Sequence, residues 1–427
     1  MKERETVAII LAAGQSTRMN SSFSKVLHKI YGKPMLEYVL DAIKPLGVKK
    51  IILITNNKDD IKKNCALSKN MHFIPQKKLL GTAHAVMQTK DTLIKFEGDL
   101  LILYGDTPLL KTHTLQRLLE KHKGSLAACT LLTTFLKEPG SYGRIVRDSD
   151  DNIKKIIEAR DASAYEKTIR EINAGVYCFR SKELFKATEE IKPDNKKGEY
   201  YLTDTIEILS KKGFGIESLQ TDVSEEITGV NSRQDLARAQ EFTKNRILDE
   251  MMSKGVGIID PITTHIYNDV EIGQDTIIYP FTVIESNVSI GKKCKIGPFA
   301  RIRPYTEISD EVEIGNFTEI TRSKIGERTR IKHRTFLGDA EIGSEVNIGA
   351  GTTTANYDGI NFSKTKIGNR SFIGSGTTII APAVIGDDVT TGAGSVIARG
   401  EKIPHNSTIH GVPAKVYKKT NRRNSHE

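Results

Sequence analysis

In this chain of 427 residues, four groups of side chains have types and spacings suited to chemistry. The run Ala12-Ala13-Gly14-Gln15-Ser16-Thr17-Arg18-Met19 follows the apolar stretch Val7 to Leu11. Small residues there let backbone N–H groups approach an anion, and Arg18 with Lys25 can neutralise charge that builds up in phosphoryl transfer. The run is neither a Walker loop, since GxxxxGK[ST] is absent, nor GxGxxG, so alone it does not establish a phosphate site. Asp106 ends another apolar run. A carboxylate there can hold a hard cation, with Asn231 adding an oxygen ligand of the kind magnesium prefers, or it can cap the turn before Thr107-Pro108. His333 sits in TRIKHRTFLGDAEIG; imidazole titrates in the range useful for proton removal, while a lone histidine between basic residues is more commonly surface decoration. Asn356 and Tyr357 form the fourth group, inside the break of a long repeat.

That repeat sets the architecture of the second half. Ile-Gly pairs begin at 272, 290, 296, 314, 325, 342, 348, 367, 373 and 385, with steps of 6, 12 and 18 among them. Such a period predicts a parallel β-helix, each hexad forming one face of a triangular coil with its apolar residue inside. A β-sandwich would instead show turns at irregular spacing. One interruption is expected, between Gly349 and Gly368, where such a scaffold places chemistry.

The first half alternates apolar runs (VAIILAA, KKIILIT, DLLILYGD, LAACTLLTTF) with amphipathic stretches such as MLEYVLDAIKPLG and GTAHAVMQTKDTLI. Alternation of this kind predicts an α/β domain with a mostly parallel, Rossmann-like sheet, and ligands beyond the carboxyl ends of its strands. From Ser232, Leu236, Ala239, Phe242, Ile247 and Met251 fall near helical spacing, with Gly255 past the end. The expected domains are 1–231, a linking helix at 232–254 whose start joins the first core, the repeat at 255–416, and a basic tail at 417–427.

Composition narrows the function classes. The net charge of +10 is spread along the chain and aromatics are few, so phosphorylated small molecules explain it better than nucleic acid. Cys65, Cys129, Cys178 and Cys294 show no CxxC or Cys/His clustering, which predicts packing residues in a reducing cytoplasm and no zinc site. The apolar run near the start is too short for a signal peptide and reads as a strand. No stretch approaches the ~20 apolar residues of a bilayer span.

LAAGQSTRM followed by Lys25 resembles the signature of the sugar-nucleotide pyrophosphorylases, written LAAGxGTRM with Pro-Lys a few residues on. Pro75-Gln76, Gly81-Thr82-Ala83-His84-Ala85, Tyr104-Gly105-Asp106, Tyr142-Gly143-Arg144, Glu158, Glu171-Ile172-Asn173-Ala174-Gly175, Gly198 to Asp204 and Gly229-Val230-Asn231 follow in family order. With the hexapeptide array, nearly the whole chain resembles the bifunctional N-acetylglucosamine-1-phosphate uridyltransferases and glucosamine-1-phosphate acetyltransferases. The resemblance implies in-line attack of a sugar 1-phosphate on the α-phosphorus of UTP, with magnesium held by Asp106 and Asn231. It implies substrate contacts from Leu11, Ala12, Ala13, Gly14, Lys25, Tyr104, Gly105 and Gly143, recognition of the uracil edge by Gln76 with Gly81 and Thr82, and contacts from Glu158 and Asn173 on sugar hydroxyls and the N-acetyl group. Ser16 and Ser24 stand where the family has glycine and proline, and slower transfer is the expectation.

For the array the resemblance implies a left-handed β-helix, a homotrimer, and acetyl-CoA bound between neighbouring coils. His333 matches the catalytic base, which Asn356 and Tyr357 would orient while contacting substrate. Asn347, Ala350, Ser375 and Ala393 match positions lining the acetyl-CoA and acceptor sites. Arg303 matches the arginine that grips the acceptor phosphate. Thr321, Phe336 and Phe362, however, stand where the family has lysine, tyrosine and lysine. Each charge-assisted contact is worth about 1.5 to 3 kcal/mol, so glucosamine 1-phosphate should bind weakly. Arg322 is expected on the opposite strand face from Thr321, leaving Lys364 as the candidate substitute. Three readings follow: the full bifunctional enzyme, a uridyltransferase whose β-helix acetylates another amino sugar, or one whose β-helix is only a trimerisation scaffold.

Overall fold

A computed structural model describes residues 4–14 and 17–419; Gln15, Ser16 and most of the basic tail lie outside the described residues. The chain divides into two compact units, Met1–Phe242 and Thr243–Glu427, and the division falls inside the helix Arg233–Ser253. Leu236, Ala239 and Phe242 at the helix start pack with Met19, Ile30, Met35, Leu109 and Val230, so the first unit extends past Asn231.

The first unit is built on a sheet with strand order Ile216–Gln220, Cys129–Phe135, Glu171–Arg180, Asp99–Tyr104, Thr6–Leu11, Lys50–Ile54, Met71–Ile74. Thr6–Leu11 runs parallel to both neighbours, while the ten-residue strand Glu171–Arg180 runs against both of its own. The predicted parallel sheet thus carries one reversed central strand. In the apolar runs both faces are buried: Ala8 and Ile10 enter one core, Val7, Ile9 and Leu11 the other. Alternation across the pleat explains why these strands read as continuous apolar runs. The amphipathic stretch after Gly81 forms two helices, Thr82–Met87 and Lys90–Leu93. Between them the buried Thr89 hydroxyl donates to the Val86 carbonyl at 2.7 Å, a local bond that competes with helix continuation.

The second unit is a parallel β-helix of short strands stacked into three sheets. Ile278 pairs with Ile296, Ile284 with Ile302 and Ile290 with Ile308, each one coil of eighteen residues further on. These isoleucines are at most 4% exposed and form the interior columns. Corner residues such as Phe281, Lys293 and Glu311 adopt positive φ. Glycine is required where coils touch: a Cβ on Gly315 would lie 1.8 Å from the Lys332 carbonyl oxygen.

The single expected break is corrected to three departures on one edge. Ile308 pairs with Ile325 and Ile320 with Leu337, coils of seventeen residues, and Ile342 pairs with Ile367, a coil of twenty-five. The spacings Ile320 to Ile325 and Leu337 to Ile342 are shortened corners, and the insertion after Thr354 lies on the same edge. Ser323 closes the shortened corners: its hydroxyl donates to the Thr321 carbonyl at 2.8 Å and accepts from the Ala340 N–H at 2.9 Å. The four cysteines are buried and unpaired.

Candidate active sites

Beyond the carboxyl ends of Thr6–Leu11 and Asp99–Tyr104 lies a cavity of about 760 Å³. Leu11, Ala12, Ala13, Gly14, Arg18 and Lys25 line it from the first loop, and Gln76, Gly81 and Thr82 from the third crossover. Tyr104, Asp106 and Asn231 line it as well. Gly105 secures the wall by donating from its N–H to the Leu11 carbonyl at 3.0 Å. Ser24 has φ −58°, the value proline would impose, so its substitution leaves this backbone unchanged. The Ser16 departure lies outside the described residues.

The Lys25 ammonium bridges Asp106 and Asn231. It forms an ion pair with the Asp106 carboxylate and donates to Asn231 Oδ1 at 2.9 Å. Two oxygens from distant parts of the chain thus converge on one cation. That donor set, one carboxylate and one amide oxygen, fits magnesium, which fills its remaining positions with water and substrate phosphate.

A second cavity, about 810 Å³, shares Arg18 and Asn231 with the first and is lined by Tyr142 and Glu158. Burial raises the Glu158 carboxyl above its ordinary value, against the pull of a Thr203 hydroxyl bond at 3.0 Å. Arg160 and Lys197 line both cavities and were not singled out from the sequence. Gly143 and Asn173 line neither. The Asn173 amide donates to the Tyr177 hydroxyl at 2.6 Å and accepts from the Gly175 N–H at 3.1 Å, so it braces a buried tyrosine.

Next to Glu158, burial first and then Glu158, Glu207 and Asp161 push Asp204 up from 3.8 to about 6. The folded protein therefore binds the proton more tightly than the unfolded chain. Stability from this group falls as pH rises through that window and stays lower above it. Asp204→Asn is expected to melt above wild type at pH 7 and to lose most of that margin at pH 4. A thermal-melt series with an equal margin at both pH values would refute this cause.

In the second unit the predicted residues fall on two edges of one face. Asn316 pairs with His333 in adjacent strands. The Gly351 N–H donates to the Arg334 carbonyl, that of Gly376 to Ala350 and that of Gly394 to Ser375. Asn316, His333, Ala350, Ser375 and Ala393 thus form one column along the coil axis, with Asn347 in the strand leading to it. His333 Nδ1 lies 3.1 Å from Asn316 Oδ1. An amide oxygen only accepts, so Nδ1 carries a proton, and in the neutral ring Nε2 is then the nitrogen that can act as a base. Within the chain Asn316, not Asn356, orients the ring, and its place one coil before His333 was the signal available in the sequence.

The other edge gathers the shortened corners and the insertion. Arg322 forms two 2.8 Å hydrogen bonds to Asp339, whose Oδ2 also accepts from Asn356 Nδ2 at 2.6 Å. Arg322 holds the Asp339 carboxyl below its ordinary value, helped by Asn356. The guanidinium lies 4.7 Å from the centre of the Phe362 ring, which packs on Tyr357 at 4.8 Å. Arg322 has φ +47° and sits at a corner, so the expectation that it faces away from Thr321 is corrected: its Nη1 is 3.4 Å from the Thr321 hydroxyl. Arg303 pairs with Glu319 at 2.8 Å, and Lys364 is turned to Glu341 at 3.1 Å. Phe336 lies on the face between the edges, in a three-residue strand of about 10 Å.

Among the described residues no helix is long and apolar enough to cross a membrane. A family model described as a MobA-like NTP transferase domain matches residues 8–201, and one described as a GMPPB C-terminal domain matches residues 286–415. The chain is 40% identical over 435 residues to the bifunctional protein GlmU of Acetivibrio thermocellus, covering 94% of each. Its counterpart from a Geobacillus species is 42% identical over 434 residues, again 94% of each. That of Bacillus subtilis is 39% identical over 431 residues, 93% of this chain and 94% of the relative. At 39 to 42% identity over nearly the full length of each relative, the chain belongs to the family of the bifunctional GlmU proteins.

Proposed function

We propose that the first unit transfers a uridyl group from UTP to N-acetylglucosamine 1-phosphate, releasing pyrophosphate, and that the second transfers an acetyl group from acetyl-CoA to an amino sugar. The observation that carries the first half is the convergence of Asp106 and Asn231 on the Lys25 ammonium. When bound there, magnesium would neutralise charge on the phosphates and orient them. Arg18 and Lys25 face the same phosphates, and Glu158 accepts from sugar hydroxyls in the adjoining cavity. UDP-N-acetylglucosamine feeds cell-wall polymers such as peptidoglycan and lipopolysaccharide, which fits a cytoplasmic enzyme.

For the second half the supporting observation is the Asn316 bond, which leaves His333 Nε2 as the base for an attacking amine. Ala350, Ser375 and Ala393 offer backbone along the same column to acetyl-CoA. A homotrimer would set the second edge of a neighbouring copy against this column. Glucosamine 1-phosphate is the family's acceptor. An amino sugar without the anomeric phosphate is the second reading, favoured by the pairing of Arg303, Arg322 and Lys364 with carboxylates. A β-helix kept only for assembly is disfavoured, because a scaffold has no use for an oriented imidazole.

Two separate assays test this on the full chain. Pyrophosphate release should require UTP, N-acetylglucosamine 1-phosphate and magnesium. Thiol release from acetyl-CoA should be followed with glucosamine 1-phosphate and with unphosphorylated amino sugars. His333→Gln should lower the latter by roughly a hundredfold or more, the lower range for a lost general base, and leave pyrophosphate release unchanged. Thiol release that is insensitive to His333→Gln would remove it as the base, and no thiol release with any amine would leave the scaffold reading.

A further inference from the structure

Gln76 is 4% exposed in the wall of the nucleotide cavity. A buried amide can present either its acceptor or its donor to a ligand, so whatever fixes its direction also fixes which base the cavity accepts. Two groups fix it here. Gln76 Nε2 lies 3.0 Å from the Gly81 carbonyl oxygen, which can only accept. The same nitrogen lies 3.2 Å from His84 Nδ1. With one N–H on the Gly81 carbonyl and the other facing Nδ1, Oε1 is the atom left for a ligand when Nδ1 is the accepting ring nitrogen. The backbone around the amide is held as well. Asn56 Nδ2 donates to the Gln76 carbonyl at 2.8 Å, and Gly81, at φ +113°, has no room for a Cβ, which would meet the Tyr200 carbonyl oxygen at 2.4 Å.

For Nδ1 to accept, the imidazole must be neutral. Burial, and then the positive charge of Lys78, lower the His84 pKa below 6.5 and favour that form. Lys78 is the charged group acting on the ring. Gln76 on one edge and Gln88 on the other do not titrate; with Nδ1 accepting, the ring proton is on Nε2, so the Gln88 amide nitrogen, 3.3 Å from Nε2, donates to the His84 carbonyl oxygen at 3.1 Å and not to the ring.

We infer that His84, which does not itself line the cavity, is a positioning residue for base selection: by accepting from Gln76 it holds Oε1 toward the nucleobase. There Oε1 pairs with the N3–H of uracil and opposes the N3 lone pair of cytosine. This rests on the reading of Gln76 as a base-contacting residue and adds the residue that sets its direction.

Pyrophosphate release with UTP and with CTP, measured on full-chain wild type, Gln76→Ala, His84→Phe and His84→Asn, tests it. Phenylalanine keeps a ring without the acceptor, whereas asparagine can return an oxygen near the position of Nδ1. His84→Phe should raise the UTP KM about tenfold and lower the UTP-over-CTP ratio of kcat/KM by a similar factor, with kcat at saturating UTP within about twofold. His84→Asn should restore most of both. The wild-type UTP KM should rise more steeply at acid pH, where the imidazole protonates, than that of His84→Asn, which carries no such group. A folded His84→Phe with unchanged KM and ratio, or an Asn variant no better than Phe, overturns the inference. If Gln76→Ala leaves the UTP KM unchanged, the base-contacting role itself falls. If Gln76→Ala raises it and His84→Phe does not, only the role of His84 falls. Should His84→Phe not fold, the wild-type profile decides, and a UTP KM independent of pH overturns the inference.

Discussion

Asp106→Asn is expected to lower kcat for pyrophosphate release by about a thousandfold while leaving thiol release from acetyl-CoA unchanged. The carboxylate lies two residues past the strand Asp99–Tyr104, and its side chain is 17% exposed against a Lys25 side chain that is 14% exposed. Asparagine keeps an oxygen at nearly the same place and removes the charge. A magnesium ion held there would lose the stronger of its two protein ligands, and the phosphates the neutralisation it would bring. That charge stabilisation is worth several kcal/mol, and each 1.4 kcal/mol is tenfold in rate, so about 4 kcal/mol gives the stated loss. Lys25 loses its ion-pair partner in the same variant and keeps Asn231 Oδ1, so a small fall in melting temperature should accompany the catalytic loss. Measuring both activities on one preparation separates chemistry from folding. A kcat within tenfold of wild type in a folded Asp106→Asn protein would show that Asp106 caps the turn and holds no metal, the other role open to a strand-end aspartate.

The sequence made the architecture legible where one physical period dominated. The six-residue recurrence of isoleucine and glycine specified the coil, because an inward apolar residue and a corner without room for a Cβ are both obligatory in it. Runs such as DLLILYGD specified central strands because both faces are buried. Glu171–Arg180 was recognised by its motif but not as a strand running against its neighbours, since direction depends on contacts far apart in the chain. The site residues that motifs could supply are in the cavity, as Gln76, Asp106 and Asn231 show. Asn173 is not, because the motif marks a conserved-looking phrase without saying whether its amide faces a ligand or Tyr177. Asn316 and Asp339 escaped, and Arg322 was read onto the wrong face, for another reason. Their roles arise from stacking one coil on the next, and two shortened corners change the register by which one would count to them.

Those shortened corners bear on the second large effect, expected for Thr321→Lys combined with Phe362→Lys. Thr321 shares its outward direction with Glu319, two residues earlier in the strand, yet it is only 2% exposed. The Arg322 guanidinium lies over it, and Phe362 in turn covers that guanidinium. A lysine introduced at 321 alone would place an ammonium beneath this cover, beside a cation already committed to Asp339. Such a variant should be destabilised and gain little. Lysine at 362 alone removes the ring from Arg322 and adds one charge. Together the substitutions open the cover and supply two donors, so their effects should exceed the sum of the single changes, as expected for side chains in contact. Two charge-assisted contacts at about 1.5 to 3 kcal/mol each would increase kcat/KM for glucosamine 1-phosphate by roughly a hundred- to ten-thousandfold. The gain should lie mainly in KM, because His333 and Asn316 are untouched. Unphosphorylated amino sugars should show no such gain. A folded double variant whose thiol release with glucosamine 1-phosphate equals that of wild type would mean that Phe362 and Arg322 do not close a phosphate site, and that the acceptor lies against another part of the face between His333 and Asn356.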